Sequence, residues 1–330
     1  MVVGNSQLLP VFILGIMRRS GTNFLKALLC LHPDCCSGDV IHEDFLLSRA
    51  DLLVKYADSI PKEWNPKWVA GKKTCSSDGL CRCIGNSLVS FLNDQNCGAV
   101  PSQTDSLEPD SPADSSSKRL VTKTPSVKNL RHFFRLFPEA QLLIIVRDGR
   151  SIAESGVKTF GWDYEGAFRS WADAARTILG FDADHKDTHC RYMIVKYEDL
   201  LNSDAEQQLK RIFAFLGLDS GKCDFAGAEG LPILGSSQVR DNGQEEMHWK
   251  PVKKSQDFDP AMRWSYWGRA LHERFNWIGG EYLLQFGYAK KEYRNRRFLW
   301  TILNILLDVK YVFRVGVKRS LRMFKKLLQR

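Results

Sequence analysis

The sequence predicts an α/β fold built on a mainly parallel sheet, and three observations predict it. Fully apolar runs of strand length recur along the chain, at Pro10–Ile16, Gln141–Val146 and Tyr192–Val195. Each run is followed by a polar turn and then by helical periodicity. None alternates apolar with polar residues, so each strand is buried on both faces, which a parallel sheet with helices above and below provides.

The first strand, Pro10-Val-Phe-Ile-Leu-Gly-Ile16, leads through Met17–Asn23 into a helix expected over Phe24–Leu31, which His32-Pro33-Asp34 stops because proline cannot continue it. Gln141–Val146 feeds a turn and helix over Arg147–Thr159, and Tyr192–Val195 runs into Tyr197-Glu-Asp-Leu200. A further helix is expected over Asp204–Leu216, closed by Gly217 as a C-cap. Gly98–Lys118, rich in Ser, Pro and Asp and without periodicity, reads as a disordered surface insertion. The expected organisation is one domain over 8–290, with the insertion at 98–118, and a tail over 291–330. No internal repeat is present.

Composition narrows the function classes. The chain has 330 residues and a net charge of +9, but residues 291–330 hold 12 Lys/Arg against 2 Asp/Glu, so the rest sums to −1. A nucleic-acid protein spreads its basic footprint over a folded face, so no nucleic-acid partner is expected. Nine cysteines form no dense disulfide framework, and the first ten residues carry no basic stretch followed by an apolar one. A reducing, cytoplasmic compartment is the expectation. Cys75, Cys81, Cys83 and Cys97 cluster, either as a small metal knuckle or as scattered thiols. They lack the paired C-x₂-C spacing of zinc sites, and no metal is expected.

Chemistry concentrates at the end of the first strand, where open α/β sheets bind ligands. In Arg19-Ser-Gly-Thr-Asn-Phe24, Gly21 permits close backbone approach and the following helix offers unbonded N–H groups to an anion. Ser20, Thr22 and Asn23 add donors and Arg19 a fixed charge. This is a phosphate cradle without the lysine of a G-x-x-x-x-G-K-[ST] loop. Taken alone it is equally a strand-to-helix turn with capping residues.

The loop resembles the 5′-phosphosulfate motif of the sulfotransferases that use 3′-phosphoadenosine 5′-phosphosulfate (PAPS), and it does not stand alone. Val146-Arg-Asp-Gly-Arg-Ser-Ile-Ala-Glu-Ser155 resembles the same family's 3′-phosphate motif, with Arg147 ending a strand and Ser155 eight residues on. Leu120-Val-Thr-Lys-Thr-Pro125 resembles the lysine-containing element that ends another strand. Gly235-Ser-Ser237 and Trp249-Lys-Pro251 resemble a loop that closes over the nucleotide.

The resemblance implies a P-loop-like three-layer sandwich, with PAPS as co-substrate and no metal. It implies nucleotide contacts from Arg19, Ser20, Gly21, Thr22, Asn23, Phe24, Arg147, Ser155, Ser237 and Lys250, and charge stabilisation at the departing phosphate by Lys123 and Arg19. It also implies a base on the segment after the first helix, here Gly38-Asp-Val-Ile-His-Glu-Asp-Phe45. Glu43 ranks first, His42 second and Asp39 third. Adjacent Glu43 and His42 point to opposite sides of an extended chain, so one of them faces the site. Two other classes fit less well. A P-loop-like nucleotide kinase lacks its lysine and a magnesium-binding strand end, and an adaptor built on the basic tail leaves three ordered motifs unexplained.

The tail predicts a basic amphipathic C-terminal helix. Phe298–Val317 is long enough to span a bilayer, but Asp308, Lys310 and Arg314 interrupt it at roughly 2.5–3.5 kcal/mol each near a helix centre. Apolar residues return about 0.3–0.6 kcal/mol each, so insertion is unfavourable. At helical spacing Lys310, Arg314, Lys318 and Arg322 form a basic stripe, and Phe313, Val317, Leu321, Phe324 and Leu328 an apolar one. Residues 298–330 therefore suit either an anionic membrane surface or packing on a protein partner. The membrane reading brings lipid-linked glycans within reach, which makes a carbohydrate or glycolipid the expected acceptor and protein tyrosine the alternative.

Overall fold

The computed structural model describes residues 10–38, 40–65, 76–97, 118–189, 191–201, 204–229, 231, 237–241, 244–248, 261–289 and 298–328. Five strands, β1 (Val11–Gly15), β2 (Cys35–Ser37), β3 (Arg119–Thr124), β4 (Gln141–Val146) and β5 (Tyr192–Lys196), form a parallel sheet in the order β2-β3-β1-β4-β5. A separate antiparallel hairpin pairs β6 (Ser237–Asp241) with β7 (Gln244–His248). The main helices are α1 (Thr22–Leu29), α2 (Ala50–Ser59), α3 (Ser77–Cys97), α4 (Phe133–Leu136), α5 (Gly149–Phe160), α6 (Tyr164–His185), α7 (Ala205–Leu216), α8 (Ala226–Glu229), α9 (Arg269–Gln285) and α10 (Phe298–Leu328). By contact the chain divides into two compact units, residues 1–263 and 264–330, so α9, expected with the sheet domain, groups with α10.

The layers follow from the strand pleat. Val11 and Ile13 of β1 pack with Leu25, Leu28 and Leu29 of α1 and with Leu209, Ile212 and Phe213 of α7. Phe12 points the other way and meets Phe133 edge-on and Phe137 at a tilt, with ring centroids 5.3 and 4.9 Å apart. Phe134 then stacks on Phe181 of α6. Helices cover both faces, giving the three-layer α/β sandwich. β1 is the central strand, with β3 and β2 on one side and β4 and β5 on the other. Its carboxyl end is therefore the switch point at which such sheets bind ligands.

The apolar runs form strands as expected, and α7 ends at Gly217 with φ 70. α1 begins at Thr22 and ends at Leu29, two residues earlier at each end than its periodicity suggests. Gly21, at φ 98, turns the chain into the helix, and Cys30 caps it. Buried His32 then pins the exit: its Nδ1 accepts from the Asp34 amide at 3.1 Å and its Nε2 lies 2.9 Å from the Asp219 carbonyl. Asp148, the N-cap of α5, accepts from the Arg150 amide and grips the Arg150 guanidinium, so Arg150 is a capping partner.

α2, α3 and α6 have no counterpart among the expected elements. Cys81, buried, and Cys83, exposed, lie on α3. Among the described residues no group of His, Cys, Asp or Glu side chains is placed to hold a metal ion. Cys75 and the 98–117 segment lie outside the described residues. α2, α3 and α4 are tied by Arg135, which reaches Asp58 at 2.7 Å and Asp78 at 2.9 Å. These hydrogen bonds hold the Asp58 carboxyl down to about 2.

Gly85 tests how closely α3 and α4 approach. A Cβ there would lie 1.8 Å from the Leu136 carbonyl oxygen, whereas one at Gly180 of α6 meets nothing within 4 Å. Helix propensity favours alanine over glycine by about 1 kcal/mol at either position. Overpacking costs about 1–3 kcal/mol, more where backbone must move. Gly180→Ala should therefore raise stability in urea denaturation and Gly85→Ala should lower it. Equal responses would disprove the close helix contact.

Candidate active site

The loop after β1 is shaped for an anion. Arg19 has φ 73 and Gly21 φ 98, two left-handed residues that turn backbone amides inward ahead of α1. No side chain caps the first turn of α1. Ser20 is 1% exposed, and its Oγ makes no hydrogen bond among the described residues. A buried hydroxyl without a partner is costly unless a ligand completes it. Glycine is required at two positions. A Cβ on Gly15 would lie 2.3 Å from Ser20 Oγ, and one on Gly21 would lie 2.2 Å from the Tyr197 ring. The cradle thus fits a phosphate or sulfate group. Thr22 is buried, Asn23 is half-buried on the first turn, and Phe24 packs edge-on against Tyr197 at 6.0 Å.

The second motif closes on the first. Ser155, fully buried on α5, accepts from Arg19 Nε at 2.8 Å, and Arg147 Nη1 donates to the Arg19 carbonyl at 2.6 Å. Arg147 lies 4.5 Å above the Tyr197 ring, and the Trp171 indole donates to the Arg147 carbonyl at 3.1 Å. Arg263, which no motif identified, also reaches Ser155 Oγ at 3.4 Å. Two guanidiniums therefore converge on one hydroxyl, and the third holds the Arg19 carbonyl beside it. Burial, with Arg263 and Arg147 close by, depresses Arg19 to about 10, which leaves it charged at neutral pH. Burial also pushes the Tyr197 phenol above its ordinary range. Such a cluster of like charges is relieved by a polyanion.

The third element borders the loop, since Pro125 Cα would lie 3.3 Å from a Cβ on Gly15. Lys123 pairs with Glu43, Nζ to Oε1 2.6 Å, with the lysine side chain 5% exposed and the glutamate 34%. Asp44, which sequence reading passed over, fixes this arrangement. Its carboxylate accepts from Thr122 Oγ1 at 2.8 Å, Thr124 Oγ1 at 2.9 Å and the Leu46 amide at 2.9 Å, and its own amide donates to the Lys123 carbonyl at 3.1 Å. His42, the neighbour on the other side, is exposed. Asp39 and Lys250, and the side chain of Ser237 at the start of β6, lie outside the described residues. Trp162 stacks on Phe160 at 5.5 Å and covers Gly156.

Gly21 is the sensitive point of this arrangement. Gly161 shares its left-handed backbone, at φ 63, but a Cβ there meets nothing within 4 Å. Gly161→Ala should destabilise by about 1–2 kcal/mol, the cost of the backbone conformation alone. Gly21→Ala must also displace Tyr197 and with it Arg147. Its thermal unfolding should fall further, and sulfate, expected to raise the parent's melting temperature, should leave that of the variant unchanged. Equal losses in both variants would show that the Tyr197 contact carries nothing.

Comparisons with known proteins place the chain in a family. The family model described as the Sulfotransferase family matches residues 10–221. The protein-tyrosine sulfotransferase A of Caenorhabditis elegans is 26% identical over 223 residues, covering 65% of this chain and 52% of that protein. The protein-tyrosine sulfotransferase of Drosophila melanogaster is 26% identical over 219 residues, covering 63% of this chain and 38% of that protein. The chain thus spans about half or less of these relatives' own length. A solved sulfotransferase domain from the Synechococcus PCC 7002 olefin synthase is 23% identical, covers 68% of this chain and 77% of its own, and superposes with a TM-score of 0.38. With the family model spanning the loop, both arginine-bearing strand ends and the Glu43–Lys123 pair, the chain belongs to the sulfotransferase family.

Proposed function

We propose that the chain transfers a sulfuryl group from PAPS to the phenolic hydroxyl of a tyrosine in a protein or peptide. The observation that carries this reading is the joining of the two phosphate motifs through the Arg19–Ser155 hydrogen bond, with Arg147 and Arg263 beside it. PAPS supplies the sulfuryl group and leaves as 3′-phosphoadenosine 5′-phosphate. Arg147, Ser155 and Arg263 would hold the 3′-phosphate. The amides of the Arg19–Thr22 loop and the Ser20 hydroxyl would hold the 5′ end.

The chain's own residues perform the rest. Glu43 accepts the proton of the acceptor hydroxyl, and Lys123 stabilises negative charge on the oxygen that departs. The acceptor oxygen bonds to sulfur as the bond from sulfur to the phosphate oxygen breaks. Holding both partners in line supplies much of the acceleration. A carboxylate takes a proton more readily from a phenol, with its pKa near 10, than from the far less acidic hydroxyl of a sugar. The two protein-tyrosine sulfotransferases among the relatives weigh the same way. The carbohydrate or glycolipid expectation rested on the tail alone and becomes the second choice.

Two measurements test this. In thermal shift, 3′-phosphoadenosine 5′-phosphate at a hundred times its Kd should stabilise by about 2.7 kcal/mol, and ATP with magnesium should not match it. Arg147→Ala should lose about 1.5–3 kcal/mol of nucleotide binding, roughly ten- to a hundredfold in affinity, together with discrimination for the 3′-phosphate. A preference for ATP would point to a kinase instead.

For the chemical step, Glu43→Gln should reduce turnover by roughly 10²–10⁴ at near-normal nucleotide affinity, with His42→Gln mild. Labelled PAPS should sulfate a tyrosine peptide but not its phenylalanine counterpart. Transfer to a glycolipid in place of the peptide would overturn the acceptor assignment. A crippled His42→Gln beside a mild Glu43→Gln would transfer the base to His42.

A further inference from the structure

The unit formed by residues 264–330 contains a helix packed the wrong way round for water. The side of α10 that meets α9 is polar. Arg274 of α9, only 6% exposed, donates to the Asn304 carbonyl and to Asn304 Oδ1, both at 3.1 Å, and to Asp308 Oδ1 at 2.6 Å. The Trp277 indole donates to Asp308 Oδ2 at 2.9 Å. The charge that interrupts the apolar run in the sequence is thus matched within the unit.

The opposite side carries Leu299, Ile302, Leu306, Val309 and Phe313, all exposed, Leu306 by 60% and Phe313 by 74%. At 3.6 residues per turn these five fall within roughly 80° of one another. A helix at a water-facing surface shows the reverse polarity. Polar groups satisfied against a neighbouring helix, with apolar groups outward, is the arrangement lipid selects.

Charge decides the occupant. Lys310 and Arg314, both exposed, flank the apolar stripe, and residues 291–330 together carry a net charge of +10. A second copy seated on this face would bring two such charges together. An anionic bilayer accepts both the apolar stripe and the cations, whose stems reach past the stripe to the headgroups. Among the described residues no helix is long and apolar enough to cross a membrane. We propose that α10 docks its Leu299–Phe313 stripe into the surface of an anionic bilayer, with Arg274 and Asp308 sealing its polar side against α9.

The test is co-sedimentation of the full chain with phosphatidylcholine vesicles that contain or lack phosphatidylserine. Binding should require phosphatidylserine and weaken as salt rises. Ile302→Glu with Leu306→Glu and Val309→Glu should abolish it. Lys310→Ala with Arg314→Ala should weaken it by about tenfold or more. Unchanged circular dichroism of both variants excludes a folding failure. Three outcomes would overturn the proposal. They are binding indifferent to phosphatidylserine, vesicle binding retained in the triple variant, and a dimer that the triple variant turns into a monomer without any vesicle binding.

Discussion

The structure is organised around the confinement of three arginines beside one buried serine. Burial first, and the nearby Arg263 and Arg147 second, depress Arg19 to about 10. Specific contacts hold them in place. Ser155 accepts from two of them, the Arg19 carbonyl accepts from the third, and the Tyr197 ring lies under Arg147. Guanidiniums fixed this close together form a site whose mutual repulsion a polyanionic ligand would relieve.

The fold has to bring these groups to one point, and the parallel sheet does so through β1. As the central strand, β1 delivers Arg19 and Ser20 between the ends of β3 and β4, which deliver Lys123 and Arg147. Register enforces the match, since Leu14 lies level with both Thr124 and Ile144. Tyr197, just past β5, bonds its amide to the Val146 carbonyl and lays its ring against Gly21. A single ring thus touches the loop of the first motif and the arginine of the second. Gly21 is needed for that approach as much as for its positive φ.

What could be read in the sequence follows from how local each signal is. β1 and β4 were legible because a strand buried on both faces is an unbroken apolar run, β5 because Tyr192–Val195 stays apolar although the strand is half-buried at the sheet's edge, and the end of α7 because Gly217 caps it. The loop residues and Arg147 carried a local pattern. β2 has only three residues and pairs on one side, too little to make a run. α3 was hidden by its mean polarity, with cysteines where aliphatics would mark a face. Arg263 could not be found by spacing, because it lies in an irregular segment far along the chain. Asp44 is one acidic residue beside another, and only the hydroxyls of Thr122 and Thr124, brought alongside by β3, show that it fastens the segment while Glu43 meets the lysine.

The same contrast separates the two halves of the site and explains why one is more legible than the other. The donor half sits on strand ends and a buried helix, so its residues are fixed by the core, and the core is what hydrophobic patterning encodes. The proposed acceptor half depends on residues 41–45, which are tied to β3 by Asp44, by the Phe45 amide on Thr124 Oγ1 and by the Glu43–Lys123 pair, and which include Phe45 in a left-handed conformation. These ties are polar contacts between groups far apart in the chain, which hydrophobic patterning does not encode. The proposed donor contacts are therefore legible from packing and charge, whereas the proposed acceptor rests on the acidity of its hydroxyl, which no pattern in this sequence records.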